Sequence, residues 1–132
     1  KELSHDAWVN FIETLFTNKG EYDCLFVPTK EDSHFEHKIV NELAFPLTRI
    51  KGISILEYRT PSTLDSWSPN TFTNITEFFD EKQRQLMLFK SQKDRWYFQE
   101  DLLKSFHSNF QSYKKGIKYV EKFKTVQFYD RD

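Results

Sequence analysis

The sequence has few of the residues that build disulfide staples, phosphate-binding loops and membrane spans. Cys24 is the one cysteine in 132 residues, so no disulfide can form within the chain and a disulfide-stapled secreted scaffold is excluded. None of the three glycines lies in a G-x-G or G-K-S/T context, which excludes glycine-rich loops that cradle phosphates. No apolar run approaches the roughly 20 residues that cross a bilayer. We therefore expect an intracellular protein, nuclear or cytoplasmic, with no membrane partner.

Met87 is the only methionine, and the sequence starts at Lys1, whereas a translation product starts with methionine. We expect one globular domain over residues 1–132 that belongs to a larger protein. Phenylalanine is abundant, with 14 copies, while 30% of the residues are charged and the mean hydropathy is −0.71. This composition predicts an aromatic core under a charged surface.

The first half of the chain shows alternating helix and strand patterns. Ser4 is a candidate N-cap for a helix that Gly20 ends, and the apolar run 22–27 predicts a buried strand that contains Cys24. A capping box at residues 33–36 predicts a second helix that Pro46 closes. A second strand follows over 49–58, with Gly52 as a bulge or a point of close approach. Strand, helix and strand over 22–58 predict a βαβ motif with two parallel strands.

The second half predicts a long loop over 60–71, a short helix over 72–79 and a β-hairpin over 86–98. A final helix is predicted over 101–123, followed by a strand over 126–129. The predicted fold class is α+β (or α/β), with the element order α-β-α-β-α-β-β-α-β.

Two arrangements of acidic and histidine residues could carry chemistry. Asp23 and Glu57, on the two strands of the βαβ motif, are the nearest match to a metal-dependent nuclease, but Arg59 replaces the lysine that such a site needs and cannot act as a base. His34 and His37 lie three residues apart, a spacing that can serve a metal. The capping box explains the start of this helix without a metal, so the sequence predicts no metal site and no cofactor.

Basic residues concentrate in the second half of the chain, since residues 1–66 carry 7 Lys/Arg against 11 Asp/Glu and residues 67–132 carry 12 against 9. On the predicted last helix, Lys115, Lys118 and Lys122 lie on one face together with Lys104. Such a row could bind nucleic acid, or it could be an ordinary solvated face. The net charge of −1 does not favour a dedicated nucleic-acid binder.

Several aromatic and arginine side chains have no periodic reason to be buried. Exposed Trp, Tyr and Arg dominate binding hot spots, and the alternative is that these aromatics fold back into the core. The leading hypothesis is a non-catalytic protein-interaction or scaffolding domain, with a protein as partner, nucleic acid as second candidate and an unknown oligomeric state. The predicted binding residues are Arg59, Trp67, Arg84, Arg95, Trp96, Tyr97, Lys115, Lys118 and Lys122.

Overall fold

The structure, a computed structural model, describes residues 4–18, 22–111 and 113–130. The helices in these ranges are α1 (His5–Asn18), α2 (Phe35–Lys51), α3 (Phe79–Leu86) and α4 (Glu100–His107). The strands are β1 (Cys24–Pro28), β2 (Ser54–Tyr58), β3 (Thr71–Asn74) and β4 (Val120–Gln127), hydrogen-bonded in the order β1-β2-β4-β3. The predicted mixed α and β fold class is confirmed.

The chain divides into two compact units. The first unit is Lys1–Asn70 with Phe123–Asp132, and the second unit is Thr71–Lys122, so β4 contributes residues to both. Each unit has its own small core. The core of the first unit is Val27, Ala44 and Ile55, and the core of the second is Ile75, Phe79 and Leu103.

The βαβ motif predicted over 22–58 is confirmed. Strands β1 and β2 are parallel, in a register that runs from Cys24 opposite Ser54 to Pro28 opposite Tyr58. Ile55 in β2 and Ile53, which directly precedes the strand, are fully buried, as expected for a strand with neighbours on both sides. Because the two strands run in parallel, their carboxyl ends lie side by side, and the Thr29 amide donates to the Tyr58 carbonyl at 3.2 Å.

The first helix begins as the sequence predicts. The Ser4 hydroxyl accepts a hydrogen bond from the Ala7 amide at 3.3 Å, which satisfies one of the free N–H groups at the helix start. Phe11 of this helix is more than half exposed and contacts Trp8 edge-on. The predicted stop at Gly20 lies outside the described residues.

The prediction that Pro46 closes the second helix is wrong. Pro46 lies inside α2, which continues to Lys51, and its ring is exposed there. The predicted strand from residue 49 therefore begins only at Ser54. Gly52 is not a bulge, because it follows the last helical residue with φ +60°. This left-handed conformation ends the helix and favours glycine.

Gly52→Ala is expected to lower the free energy of unfolding by about 1–2 kcal/mol, because a Cβ at this backbone conformation is strained. The added methyl would also lie 3.4 Å from the Tyr129 ring. Urea unfolding measures the effect. Gly116→Ala is the matched comparison and should lose a similar amount of stability, because Gly116 has the same left-handed conformation, φ +81°, with nothing within 4 Å of the added methyl. A Gly52→Ala protein as stable as wild type would contradict the proposed helix cap.

The second half differs from the prediction in three elements. The hairpin over 86–98 is wrong, because α3 extends to Leu86 and residues 96–98 form a 3₁₀ turn. The short helix over 72–79 is wrong in its first half, where β3 lies. The helix over 101–123 is also wrong. It ends at His107, where Ser108 adopts an extended conformation, and the final strand begins at Val120, earlier than predicted.

Short apolar runs explain these errors. The run Leu86 to Phe89 is too short for its periodicity to distinguish a strand from the end of a helix. Phe110, which lies within the predicted last helix, is 90% exposed. No helix among the described residues has the length and apolar character needed to cross a membrane.

Candidate functional site

A cluster of polar side chains lies at the carboxyl ends of β1 and β2 in the first unit. We call it the strand-end cluster, and its members are Asp32, His37, Thr60, Ser62 and Thr63. Asp32 comes from the turn between β1 and α2, His37 from the first turns of α2, and the three hydroxyl residues from the loop after β2. The parallel pairing of β1 and β2 brings these three segments together, as is usual for sites in open α/β sheets.

Asp32 is the centre of the cluster and is fully buried, with 0% exposure. Its Oδ1 accepts the His34 amide at 2.7 Å. Its Oδ2 accepts the hydroxyl of Thr60 at 2.7 Å and that of Thr63 at 3.3 Å. Both carboxylate oxygens are therefore satisfied, as a buried charge requires.

The ionised form of Asp32 is strongly favoured. Burial by itself would raise the pKa of Asp32, but hydrogen bonds outweigh burial and hold this pKa well below its usual range. The donors are Ser62, Thr60, the His34 amide and His37. The negative charge of Asp32 also acts on Tyr58. Burial is the larger cause that raises the pKa of Tyr58, and the charge of Asp32 is the second.

His37 is the member of the cluster that solvent reaches. Its Nδ1 lies 3.0 Å from Oδ2 of Asp32, and its side chain is 31% exposed. Ser62 Oγ lies 3.4 Å from the same nitrogen. The His34 ring stacks on the His37 ring with centroids 4.6 Å apart. A histidine that donates from Nδ1 to a buried carboxylate holds its lone pair on Nε2, the tautomer needed to accept a proton from a ligand.

A second polar layer is centred on Asn41, one turn beyond His37 on α2, and includes Glu57 and Trp67. The Asn41 amide donates to the Pro28 carbonyl at 2.8 Å and to Glu57 Oε1 at 3.0 Å. Trp67 Nε1 donates to the other Glu57 oxygen at 3.4 Å. All three side chains are buried. This layer fixes α2, and with it His37, against the end of β2.

The predicted nuclease site is wrong. Glu57 lies opposite Val27 in the parallel register, and Asp23 lies four residues before Val27 on the same strand. At about 3.3 Å per residue, the two carboxylates are separated by roughly 13 Å along the sheet, too far to share one metal ion. Glu57 is instead bonded to Asn41 and Trp67. Across residues 4–18, 22–111 and 113–130, no three His, Cys, Asp or Glu side chains are grouped to hold a metal.

Two predicted binding residues, Arg59 and Trp67, lie in the first unit. Arg59 is exposed directly after β2. Trp67 is only 7% exposed, so the structure places it in the interior instead of on an open loop. Its indole N–H donates to the buried Glu57 carboxylate, so the polar group of the ring has a partner in the interior.

The other predicted binding residues lie in the second unit. Arg84 makes a bidentate pair with Glu81 at 2.6 and 2.8 Å, and this hydrogen bonding lowers the pKa of Glu81 to about 2. Arg95 is exposed. Trp96 is 64% exposed and contacts Tyr97 edge-on, while the Tyr97 hydroxyl donates to Gln92 at 2.7 Å.

The predicted row of lysines is wrong as a helix face. Because α4 ends at His107, Lys115 lies in a 3₁₀ turn, Lys118 in irregular chain and Lys122 in β4. Lys104 alone remains on the helix, where it pairs with Glu100 at 2.6 Å. Whether any of these lysines binds a ligand stays a prediction.

Sequence reasoning assigned Asp32 and His37 to a helix start and missed the hydroxyl residues. The structure also shows a different start for α2, because Ser33 Oγ donates to the Ser62 carbonyl at 3.0 Å and Asp32 accepts the local amide. One signal was available. Asp32 and Thr60 each follow a strand of the predicted βαβ motif, and the carboxyl ends of parallel strands meet at one edge.

Comparisons with known proteins identify a fold. No protein-family model matches the chain, and no curated protein matches it. The conserved protein TT1542 from Thermus thermophilus is similar in structure, with a TM-score of 0.69 and 14% identity over 94% of this chain and 59% of that one. GalB, the 4-carboxy-2-hydroxymuconate hydratase from Pseudomonas putida, has a TM-score of 0.67 and 15% identity over 99% of this chain and 62% of that one.

These neighbours overturn the functional prediction. This chain spans about three fifths of the length of each, and at such identities the likeness shows the fold alone. One of them is nevertheless an enzyme, a hydratase, so this fold carries a catalytic protein. The prediction of a non-catalytic interaction or scaffolding domain is therefore wrong, and what the chain is similar to is an enzyme-bearing α/β fold.

Proposed function

We propose that this chain is an acid–base enzyme that adds water to, or removes water from, an unsaturated small molecule, with His37 as the group that moves the proton. The observation that carries the proposal is the contact of a partly exposed imidazole with the fully buried Asp32 carboxylate, at 3.0 Å. An ionised partner at Nδ1 orients the ring and stabilises the imidazolium that forms when Nε2 takes a proton.

The chemistry of hydration fits a single histidine. The substrate is an α,β-unsaturated carboxylate. Nε2 of His37 takes a proton from water while the water oxygen forms a bond to the β-carbon of the substrate. The π electron pair moves toward the carboxylate as an enolate. His37 then gives this proton to the α-carbon, so that one water molecule is added across the double bond. Dehydration is the same path in reverse.

The rest of the strand-end cluster supports this role. Thr60 and Thr63 donate to Oδ2 of Asp32, the same oxygen that His37 contacts, so the carboxylate stays fixed while the imidazole gains and loses charge. Such preorganisation is where enzymes gain much of their rate. The name of GalB, a hydratase, supports hydration over other acid–base reactions.

The test follows the loss of ultraviolet absorbance as conjugation disappears on hydration. The first substrate is 4-carboxy-2-hydroxymuconate, followed by other conjugated enol and diene carboxylates. We expect turnover by the wild-type chain above the buffer rate, and the same turnover by His5→Gln, whose ring is 72% exposed in α1. A wild-type chain that hydrates none of these acids, and forms none of them from their hydrates, would refute the proposal.

A further inference from the structure

A second histidine, in the second unit, holds a lysine in place. Nε2 of His107 lies 2.8 Å from Lys82 Nζ, and the same ammonium donates to Glu121 Oε1 at 2.5 Å. These side chains come from α4, α3 and β4. The contact therefore ties together three elements of the second unit, and the proposed catalytic role of His37 does not use it.

His107 can make this contact only as a neutral ring. It is 4% exposed, and its Nδ1 lies 2.8 Å from the Leu103 carbonyl. A carbonyl can only accept, so Nδ1 carries the proton and Nε2 presents its lone pair. An ammonium has three donors and no acceptor. Lys82 therefore donates to His107. A second ring proton, on Nε2, would have no acceptor in this contact.

We propose that the contact of His107 with Lys82 is a pH-operated latch of the second unit, closed while the ring is neutral and opened when the ring takes a proton. On protonation, an Nε2–H group would point at an ammonium 2.8 Å away. The two positive groups repel, and the bond that joins α4 to α3 becomes a repulsive contact.

The surroundings decide how readily the latch opens. Glu121 on β4 favours the protonated form of His107. Lys122 on β4 and Lys82 on α3 disfavour the protonated form. The nearby aromatic groups are uncharged: the Phe79 ring lies edge-on to His107 at 5.8 Å, and Tyr119 stacks on Phe79 at 4.1 Å. Burial first, and Lys82 second, lower the pKa of His107 from its ordinary 6.5.

Because the folded pKa of His107 is lowered, acid weakens the latch. The unfolded chain takes the proton near pH 6.5, whereas the folded ring takes it only at lower pH. The latch therefore contributes its full stability above pH 6.5 and loses it as the pH falls from 6.5 toward the folded pKa. In that window the equilibrium constant for opening rises by up to about tenfold for each pH unit.

The experiment is native-state hydrogen exchange of the whole chain between about pH 7.5 and 5, corrected for intrinsic exchange rates. Because the other histidines are His5, His34 and His37, His107 is the only one in the second unit. We expect opening of α4 to increase as the pH falls below 6.5, by up to about tenfold for each pH unit. We expect no such rise in α4 of His107→Gln, whose amide oxygen can accept from Lys82 and does not titrate.

His34→Gln is the control and should keep the wild-type pH response in α4. An α4 whose corrected exchange is the same at both ends of the pH range would overturn the latch, as would a His107→Gln protein that still opens in acid. If that variant fails to fold, NMR titration of wild-type His107 decides the question. A ring that protonates at or above pH 6.5 overturns the latch, and one that stays neutral below it supports the latch. None of these outcomes depends on hydration by His37.

Discussion

Asp32→Ala is expected to lower the free energy of unfolding by about 3–5 kcal/mol, because it removes the buried, charged acceptor that three partly buried donors share. The Thr60 and Thr63 hydroxyls and the His34 amide all donate to this carboxylate. Without it, these partly buried donors lose their common charged acceptor, and the loop after β2 loses its link to the start of α2. Urea unfolding followed by circular dichroism measures the loss.

The matched control is Asp65→Ala, which removes an exposed carboxylate from the same loop and should change stability by less than about 0.5 kcal/mol. Asp32→Asn keeps the size of the side chain but offers an amide to hydroxyl donors, and we expect it to be intermediate. A loss below about 1 kcal/mol for Asp32→Ala would mean that water replaces the carboxylate without cost.

The effect of acid provides a second check on the same residue. Because hydrogen bonding holds the folded pKa of Asp32 below its ordinary 3.8, its contribution is present above pH 3.8 and disappears only as the pH falls through the lower folded value. The stability difference between wild type and Asp32→Ala should therefore be no smaller at about pH 5 than at about pH 7. A difference that fades between these two values would contradict the assignment of Asp32 as the ionised centre of the cluster.

The sequence predicts well where structure depends on near neighbours. The Ser4 cap and the parallel strands of the βαβ motif rest on spacing, turn residues and apolar runs within a few positions. Prediction fails where one local pattern permits two structures. The run Leu86 to Phe89 suits a strand or a helix end, and the chain resolves it as the end of α3.

The candidate site is harder to predict because its contacts are long-range. Thr60 and Asp32 are 28 residues apart, and Ser62 and His37 are 25 apart. The local pattern explains the start of this helix by a capping box at residues 33–36, whereas the residue that accepts the His34 amide is Asp32. Only the pairing of β1 with β2 shows that the same carboxylate also serves the next loop. Trp67 is similar, because its reason to be buried is Glu57, on another element.

His37→Gln is expected to reduce kcat for hydration by about 10²–10⁴-fold, the range that general acid–base groups contribute. Gln can keep a hydrogen bond to Asp32 but cannot take up a proton at neutral pH, so the fold should persist while the chemistry fails. KM should change little, because the loss is confined to the step in which the proton moves. Steady-state absorbance assays on the substrate identified with the wild-type chain measure both constants.

Two further variants separate catalysis by His37 from a purely structural role. In His37→Ala, added imidazole should restore part of the activity, because the site is open to solvent through a side chain that is 31% exposed. The double variant Asp32→Asn with His37→Gln should be no slower than His37→Gln alone, since Asp32 acts through the imidazole and the two residues work as one group. Independent, additive losses would show that Asp32 contributes without His37. Full activity in His37→Gln, with the fold intact, would remove His37 from the mechanism and leave the strand-end cluster as a structural anchor for the loop after β2.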